Sequence, residues 1–393
     1  MKYFFALGNN PTLSAAEIFA IFNIKNPILL DTILIGEIDK FDEYKCIKKL
    51  GGTIKIGEIF YEAEHTNEIN ILNEIKKILP SAFEGKFKFG ISLYGKSKLK
   101  IRQLGMEIKN IFKEKGISCR WVTGKEQALS SVIVEQNKLI DKGVEICIIK
   151  NQNQTFVGKT LSVQPFKELS LRDYGRPARD DHSGMLPPKL AQIMINLGAR
   201  QNMPQNTTLL DPFCGSGTIL TEAFLMNFNN LIGSDLSPKA IADTENNIIW
   251  VKNNFKLQNS NFKLFHVSAT EISKKIPSNS IDIIVSEPYL GPQRGTIDIK
   301  KTKKELEQLY YKALQEFKKI LKKNGRIVIL FPVFQKNQDS IQLNPNLDDY
   351  SIMSPIPKEL SANSIIKTTN RNTIIYGREG QKVWREIVIL TLK

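Results

Sequence analysis

The chain has 393 residues, of which 41% are hydrophobic and 24% are charged. These values are typical of globular protein and exclude a disordered chain, and the length allows two or three domains with a core in each. No apolar run is long enough to span a membrane, and the N-terminus lacks the layout of a signal peptide. Four scattered cysteines and three dispersed histidines give neither a metal-binding nor a disulfide pattern. We therefore expect a cytoplasmic protein without a metal, and we favour a monomer.

The net charge of +15 is unevenly distributed along the chain. Residues 1–70 carry −3, residues 71–170 carry +9, and the remainder carries +9. A basic middle segment indicates a polyanionic partner. Lysine enrichment also arises from compositional drift, so the charge by itself leaves the partner open.

Residues 1–65 alternate between strand and helix patterns. The predicted order is strand 2–7, helix 14–23, strand 29–38, helix 41–50 and strand 53–62. This order predicts a small α+β domain of ferredoxin-like type over residues 1–65. The segment has no residue pattern that indicates chemistry of its own.

Residues 66–165 predict a second α+β unit. Its elements are strand 86–94, a helix from residue 97 to Gly116, strand 119–122, helix 128–139 and paired strands at 144–149 and 155–163. This pattern resembles the THUMP module, and that resemblance implies an RNA-binding domain that grips the acceptor end of tRNA. The candidate phosphate contacts are Lys96, Lys98, Lys100, Arg102, Arg120 and Lys125. Such contacts position a nucleic acid without reading its sequence, and a solvated helix face is the alternative for each of them.

Residues 166–188 predict a linker, because Pro165, Gly175, Pro177 and Gly184 interrupt regular structure. Within it, Arg172 and Arg176 are candidates for contact with substrate phosphate or the mouth of a cofactor pocket. A plain surface linker is the alternative.

Residues 189–393 predict an α/β domain with a doubly wound parallel sheet. Its first strands fall at 207–210, 231–235, 262–267 and 281–285, with helices between them. The apolar pattern of residues 371–376 and 384–390 predicts an antiparallel hairpin at the end of the sheet. Ligands of such sheets bind at the carboxyl ends of the strands.

The turn at residues 211–218 (Asp-Pro-Phe-Cys-Gly-Ser-Gly-Thr) joins the first strand to a helix. Its two glycines permit positive φ and close approach of a ligand. Asp235 ends the second strand about 20 residues later, where such folds place a carboxylate on a ribose diol. Residues 268–269 follow the third strand, where an adenine ring would lie. The candidate cofactor contacts are Asp211, Phe213, Cys214, Gly215, Gly217, Thr218, Asp235, Leu236, Ser268 and Ala269, and the predicted cofactor is S-adenosylmethionine. A glycine turn of another nucleotide-binding enzyme is the alternative.

Ser286, Glu287, Pro288 and Tyr289 follow the fourth strand and are the candidate catalytic residues. An exocyclic amine is a poor nucleophile because its lone pair is delocalised into the base. The Ser286 hydroxyl and the Glu287 carbonyl are candidate acceptors for its two hydrogens, Pro288 stiffens the loop, and Tyr289 is a stacking platform for a flipped base. A proline turn with a packing tyrosine is the alternative.

Residues 211–289 resemble the amino-methyltransferase branch of the Rossmann-fold methyltransferases, whose loop reads Asn/Asp/Ser-Pro-Pro-Tyr/Phe. Residues 172–177 and 184–191 resemble the approach to the catalytic domain of THUMP-containing tRNA guanosine methyltransferases, which modify the exocyclic amine of guanosine at position 10. The resemblance implies a class I methyltransferase domain preceded by ferredoxin-like and THUMP domains, with tRNA as partner. Glu287 replaces the usual first proline, and Ser286 stands where the tRNA enzymes more often carry Asp.

Three hypotheses follow from these patterns. The leading one is a tRNA guanosine amino-methyltransferase. The second is a DNA amino-methyltransferase acting on adenine or cytosine, which Ser286 favours and the THUMP-like half disfavours. The third, prompted by Glu287, is a catalytically weak RNA-binding protein that keeps its cofactor pocket.

Overall fold

The strands of the protein form two large sheets. The structure, a computed structural model, describes residues 1–97, 99–151, 153–179, 185–199, 201, 206–256, 261–292, 295, 298–336 and 339–393. Within these residues the sheets contain eight and nine strands. No helix in the described ranges is both long and apolar enough to cross a membrane.

The first sheet lies within residues 2–163. Its strands are β1 (Lys2–Leu7), β2 (Lys25–Leu30), β3 (Ile33–Glu37), β4 (Thr53–Glu64), β5 (Phe87–Tyr94), β6 (Cys119–Val122), β7 (Gly143–Lys150) and β8 (Gln154–Val163). They are ordered β2-β3-β1-β4-β8-β7-β5-β6. The accompanying helices are α1 (Pro11–Ile21), α2 (Glu43–Ile47), α3 (Glu68–Ile78), α4 (Ile101–Glu114) and α5 (Ser131–Gln136).

The two units predicted for residues 1–165 share this sheet. The long strand β4 pairs with β1 on one side and β8 on the other, so the predicted boundary at residue 65 falls directly after a central strand. Lys55 of β4 and Glu145 of β7 form a buried ion pair across β8, with Nζ and Oε1 2.5 Å apart. Ser92 and Thr160 also donate to the Glu145 carboxylate. This buried hydrogen-bonded network joins four strands of one layer.

The second sheet lies within residues 208–392. Its strands are β9 (Thr208–Asp211), β10 (Asn230–Asp235), β11 (Asn261–His266), β12 (Ile281–Ser286), β13 (Leu321–Lys336), β14 (Asp339–Gln342), β15 (Tyr350–Ile352), β16 (Ile374–Tyr376) and β17 (Val383–Leu392). Their order is β11-β10-β9-β12-β13-β17-β15, with β14 beside β13 and β16 beside β17. The helices are α6 (Phe166–Tyr174), α7 (Pro188–Gly198), α8 (Thr218–Leu225), α9 (Pro238–Phe255) and α10 (Ile299–Ile320), with 3₁₀ turns at Ala269–Lys274 and Lys358–Leu360.

The predicted α/β class and the terminal hairpin are confirmed. Strands β9 to β13 are parallel, and β17 runs antiparallel between β13 and β15. Parallel strands covered by helices are buried on both faces, which is why residues 283–285 are apolar without alternation. The carboxyl ends of β9, β10 and β12 therefore meet at one edge, where the candidate residues lie.

The first sheet is docked on the second through α1 and α7. Glu17 of α1 is fully buried, and its carboxylate accepts hydrogen bonds from the backbone N–H groups of Gly51 and Gly52 and from Asn196 of α7. A Cβ added at Gly51 would lie 1.9 Å from the Lys189 carbonyl oxygen. The two layers approach so closely here that only glycine fits, which fixes their relative position.

Candidate active site

A cavity of about 890 Å³ opens at the carboxyl ends of β9, β10 and β12. Its size suits a cofactor together with part of a substrate. Among the described residues that line it are Asp211, Phe213, Cys214, Gly215, Thr218, Asp235, Leu236, Ser268, Ala269, Glu287, Pro288 and Tyr289. The predicted cofactor turn and the predicted catalytic loop thus face the same space.

The turn at 211–218 has the predicted strand-turn-helix form. Gly217 has φ +81° and precedes α8, and a Cβ added there would lie 2.9 Å from Cγ2 of Thr244. Gly215 has φ +53°, and a Cβ added there would meet nothing within 4 Å. Gly217 is therefore required by the protein itself, whereas Gly215 keeps a positive-φ position open toward the cavity.

Asp235 joins the ends of two neighbouring strands. Its Oδ2 accepts a hydrogen bond from Gly215 N–H at 3.0 Å, and its Oδ1 accepts one from Ser237 N–H at 2.9 Å. Each carboxylate oxygen keeps a further lone pair, which leaves acceptors for a ligand diol. Leu236, the next residue, is 72% exposed and forms part of the cavity wall.

Ser268 and Ala269 lie where the third strand was predicted to end. The Ser268 hydroxyl accepts a hydrogen bond from Thr270 N–H and so caps a short 3₁₀ turn. Ala269 is buried, and both residues line the cavity. Both predicted adenine contacts therefore face the same cavity as the turn at 211–218.

Ser286 is placed differently from the prediction. Its side chain is fully buried, and its hydroxyl donates a hydrogen bond to Asp211 Oδ1 at 2.8 Å. It is not among the described residues that line the cavity, because the last residue of β12 points toward β9. Ser286 therefore orients Asp211 instead of meeting the substrate amine directly.

Asp211 is the buried acid of the turn. Burial raises the pKa of its carboxyl to about 7, and the nearby Asp235 and Glu287 carboxylates act in the same direction. Hydrogen bonds from Ser286 and from Phe213 N–H oppose this shift. Four acidic residues thus line one cavity, and those other than Asp243, which pairs with Lys239, make it a favourable site for a cationic ligand.

Glu287 is held by a residue that the sequence analysis did not single out. Its Oε1 accepts a hydrogen bond from Arg385 Nε of β17 at 2.6 Å, and the two side chains are 15% and 10% exposed. Burial raises the pKa of Glu287, and Arg385 partly offsets this. A signal existed, because Arg385 is a charged residue at the start of the largely apolar strand 384–390 of the predicted terminal hairpin.

Pro288 and Tyr289 complete the loop. Pro288 is buried, whereas Tyr289 is 56% exposed at the cavity. The Tyr289 carbonyl accepts a hydrogen bond from the hydroxyl of Tyr310 of α10. The backbone of Tyr289 is therefore fixed while its ring stays available for stacking.

Two arginines predicted to contact RNA are buried instead. Arg172 of α6 is 5% exposed and donates from Nε and Nη2 to the two carboxylate oxygens of Glu222, at 2.7 and 3.2 Å. Arg176 is 6% exposed and donates to Thr218 Oγ1 and Met185 Sδ. Both donate to residues of α8, which follows the predicted cofactor turn, so the described part of the predicted linker (residues 166–179 and 185–188) begins with helix α6 and is docked on the second layer.

The other predicted phosphate contacts belong to the part of the chain that forms the first sheet, whereas the residues that line the cavity belong to the later part. Lys96, Lys100, Arg102, Arg120 and Lys125 are all exposed. Lys98 lies outside the described residues. Among the described residues, no cluster of three His, Cys, Asp or Glu side chains is arranged to hold a metal ion.

Two segments of the chain match known protein families. Residues 176–353 match the family UPF0020, described as an RMKL-like methyltransferase domain. A second family model, described as a DNA methylase, matches residues 88–246. That range crosses from the first sheet into the second and ends before the loop at 286–289.

The relatives bear the names of tRNA-modifying enzymes. The chain is 30% identical to a tRNA (guanine(10)-N2)-dimethyltransferase of Methanocaldococcus jannaschii over 46% of this chain and 47% of that protein. It is 22% identical to the enzyme of the same name from Pyrococcus abyssi over 84% of this chain and 88% of that protein. The matched part thus spans about half the length of the first relative and most of the second.

A solved structure shares the fold of the whole chain. TrmN from Thermus thermophilus is 16% identical, covers 100% of both chains, and superposes with a TM-score of 0.55. The part of the chain that carries the cavity is therefore a methyltransferase domain, and S-adenosylmethionine is its cofactor, as predicted. Within that class, the matches to two tRNA (guanine(10)-N2)-dimethyltransferases support the predicted tRNA (guanine-N2-)-methyltransferase family.

Proposed function

We propose that this protein uses S-adenosylmethionine to methylate the exocyclic amine of a guanosine in tRNA, at position 10. The observation that carries this proposal is the single cavity shared by the glycine turn with Asp235 and by the loop at 286–289. A donor held at the turn and a base held at the loop would meet in that cavity.

The residues present fit the cofactor. Asp235 has acceptors left for a ribose diol, Ser268 and Ala269 lie at the cavity for an adenine ring, and the Asp211 carboxylate would attract the ammonium group of the amino-acid end. Gly215 leaves open space where a side chain would otherwise stand. When bound, S-adenosylmethionine supplies a methyl group activated by a positively charged sulfur.

The loop residues act on the base. The exposed ring of Tyr289 is placed to stack on a flipped-out purine. The carbonyl and carboxylate of Glu287 are acceptors for the amine hydrogens, and the carboxylate can take the proton that the amine must lose. Ser286 contributes through its hydrogen bond to Asp211.

We further propose that the first half of the chain binds tRNA. The continuous sheet of residues 2–163 would combine a ferredoxin-like part and a THUMP-like part, and the exposed Lys96, Lys100, Arg102, Arg120 and Lys125 would contact phosphates. The match to the Pyrococcus relative extends over most of this chain, which supports one tRNA-binding architecture for both. A cytoplasmic location follows from such a substrate.

The second candidate function is methylation of DNA, which the DNA methylase match to residues 88–246 favours. The test is to incubate the purified protein with methyl-labelled S-adenosylmethionine and either unmodified tRNA or duplex DNA. We expect label in tRNA alone. Label in DNA would establish the second function, and label in neither, despite binding of cofactor and tRNA, would point to a catalytically weak RNA-binding protein.

The labelled nucleotide is then mapped by nuclease digestion and mass spectrometry. We expect N2-methylguanosine or its dimethyl form at position 10. A methyl group on any other atom of guanine, or on adenine, would overturn the assignment.

A further inference from the structure

Glu287 occupies a distinctive place in the cavity. It follows Ser286, which points toward β9, and it precedes Pro288 and Tyr289, which shape the base site. Its carboxylate has one hydrogen-bond partner among the described residues, Arg385, which contacts Oε1. Oε2 accepts no hydrogen bond from any residue that the structure describes, so an acceptor remains for a ligand.

Arg385, which lies on strand β17, orients the Glu287 carboxylate by donating a hydrogen bond to it. It lies opposite Pro332 of β13, whereas Glu287 follows β12 on the other side of β13. The contact therefore passes over the strand between them. Both side chains are largely buried, so the contact is little screened by water.

An ionised carboxylate only accepts hydrogen bonds, and it offers about four lone-pair sites on two oxygens. The Watson–Crick edge of guanine presents two adjacent donors, N1–H and the N2 amine. Adenine and cytosine place a ring-nitrogen acceptor beside their amine, so a carboxylate would face a lone pair there. A fixed carboxylate beside the base platform thus suits guanine and disfavours the other two amino bases.

On the basis of the function proposed above, we propose that Glu287 reads the N1–H and N2–H donors of the target guanine and so determines base specificity. Arg385 is the positioning residue that aims the carboxylate. Oε2 accepts from the base, and the remaining lone pair of Oε1 is available to the second donor. The usual proline at this loop position has no side-chain acceptor, so this carboxylate is a feature of the present chain.

The test compares tRNAs that carry guanine, 2-aminopurine or inosine at the mapped target nucleotide. 2-Aminopurine keeps the exocyclic amine but has an acceptor at N1, whereas inosine keeps N1–H and lacks the amine. For the wild type we expect kcat/KM for guanine to exceed that for 2-aminopurine by roughly 10- to 100-fold. Inosine should accept no label.

Glu287→Gln replaces one acceptor by a donor that suits the N1 acceptor of 2-aminopurine. We expect this variant to reduce the ratio of guanine to 2-aminopurine by roughly 10-fold or more. Arg385→Lys should reduce the ratio as well, and it should have little further effect in the Glu287→Gln background. S-Adenosylmethionine affinity, measured by calorimetry, should stay close to that of the wild type and thereby shows that each variant is folded.

The outcomes separate the two proposals. Absence of methylation of guanine in tRNA by the wild type would overturn the proposed function. Equal use of guanine and 2-aminopurine by an active wild type, or an unchanged ratio in Glu287→Gln, would overturn the role of Glu287 alone.

Discussion

The hydroxyl of Ser286 donates a hydrogen bond to the carboxylate of Asp211 across 2.8 Å, and so the predicted catalytic loop is tied directly to the predicted cofactor turn. The two residues end the neighbouring parallel strands β12 and β9. Any shift of one loop relative to the other must break this buried contact. The sheet therefore fixes the position of the predicted catalytic loop relative to the predicted cofactor turn.

Ser286→Ala tests this contact. The hydrogen bond from Ser286 lowers the pKa of Asp211, which burial raises to about 7, so its loss should raise that pKa further. Affinity for the cationic cofactor, which needs the ionised carboxylate, should rise with pH through about pH 7 in the wild type and at higher pH in the variant. Calorimetric titration across this range measures the midpoint. Ser234→Ala removes a buried hydroxyl that bonds to the Pro212 carbonyl, and it should leave the midpoint unchanged.

Asp235 and Tyr289 should separate binding from transfer. Asp235→Ala removes an acceptor for the ribose and two backbone contacts, so we expect roughly 10- to 100-fold weaker cofactor binding. Tyr289→Ala should leave cofactor binding intact and reduce methyl transfer by at least about 10-fold, because base stacking is lost. Tyr289→Phe keeps the ring and should retain activity. Equal cofactor affinity of Asp235→Ala and the wild type would remove the ribose assignment.

Gly217→Ala should destabilise the protein through a specific contact. The residue has φ +81°, and its added Cβ would lie 2.9 Å from Thr244 Cγ2. Gly380 has φ +83° with nothing within 4 Å of an added Cβ, so Gly380→Ala is a control for the backbone cost of about 1–2 kcal/mol. The free energy of unfolding in urea should fall more for Gly217→Ala, and Thr244→Ser should recover part of the loss. Equal losses for the two glycine variants would argue against the contact.

Arg172→Ala should reduce stability more than it reduces RNA affinity. It leaves the buried carboxylate of Glu222 without its bidentate partner, which costs about 3–5 kcal/mol for pairs of this kind. Arg102→Ala, on the exposed side of α4, should leave the free energy of unfolding within about 0.5 kcal/mol. If Arg102 contacts phosphate, that variant should instead lower the salt dependence of tRNA binding. A stable Arg172→Ala protein with weakened tRNA binding would restore the original RNA-binding assignment.

Glu17 should make stability depend on pH. Burial raises its pKa from 4.5 to about 7, so between these values the folded protein holds a proton that the unfolded chain has lost. The free energy of unfolding should therefore fall as pH rises from about 4.5 to about 7. Burial also raises the pKa of Asp211, so this residue makes the free energy of unfolding fall over the same pH range.

Glu17→Gln should flatten this slope partly and lower stability by about 1–3 kcal/mol, because its amide turns one donor toward the backbone N–H groups of Gly51 and Gly52. Urea titrations at several pH values measure both effects. Glu84→Gln, at an exposed position, is the control that should change neither. An unaltered slope in Glu17→Gln would show that another group is responsible.

Local patterns predicted much of the second sheet. The strand-turn-helix at 211–218, Asp235 at the end of the next strand, and the terminal hairpin are confirmed because each depends on neighbouring residues along the chain. The segment 29–38 was predicted as one strand, whereas β2 and β3 form a hairpin there with Asp31 at φ +50°. Aspartate is enriched at positive φ and in turns, so Asp31 was a turn signal that the prediction of a single strand did not use.

The sequence by itself determined the α/β fold class and the strand-turn-helix form of residues 207–226, because glycines, acids and apolar runs at fixed spacing impose local geometry. Only the tertiary structure decided which charges are buried. Arg172 and Arg176 were predicted as surface cations. In the folded protein Arg172 is paired with Glu222, and Arg176 donates to Thr218 and Met185. The pairing of Glu287 with Arg385, 98 positions apart, likewise depends on a strand order that no local pattern encodes.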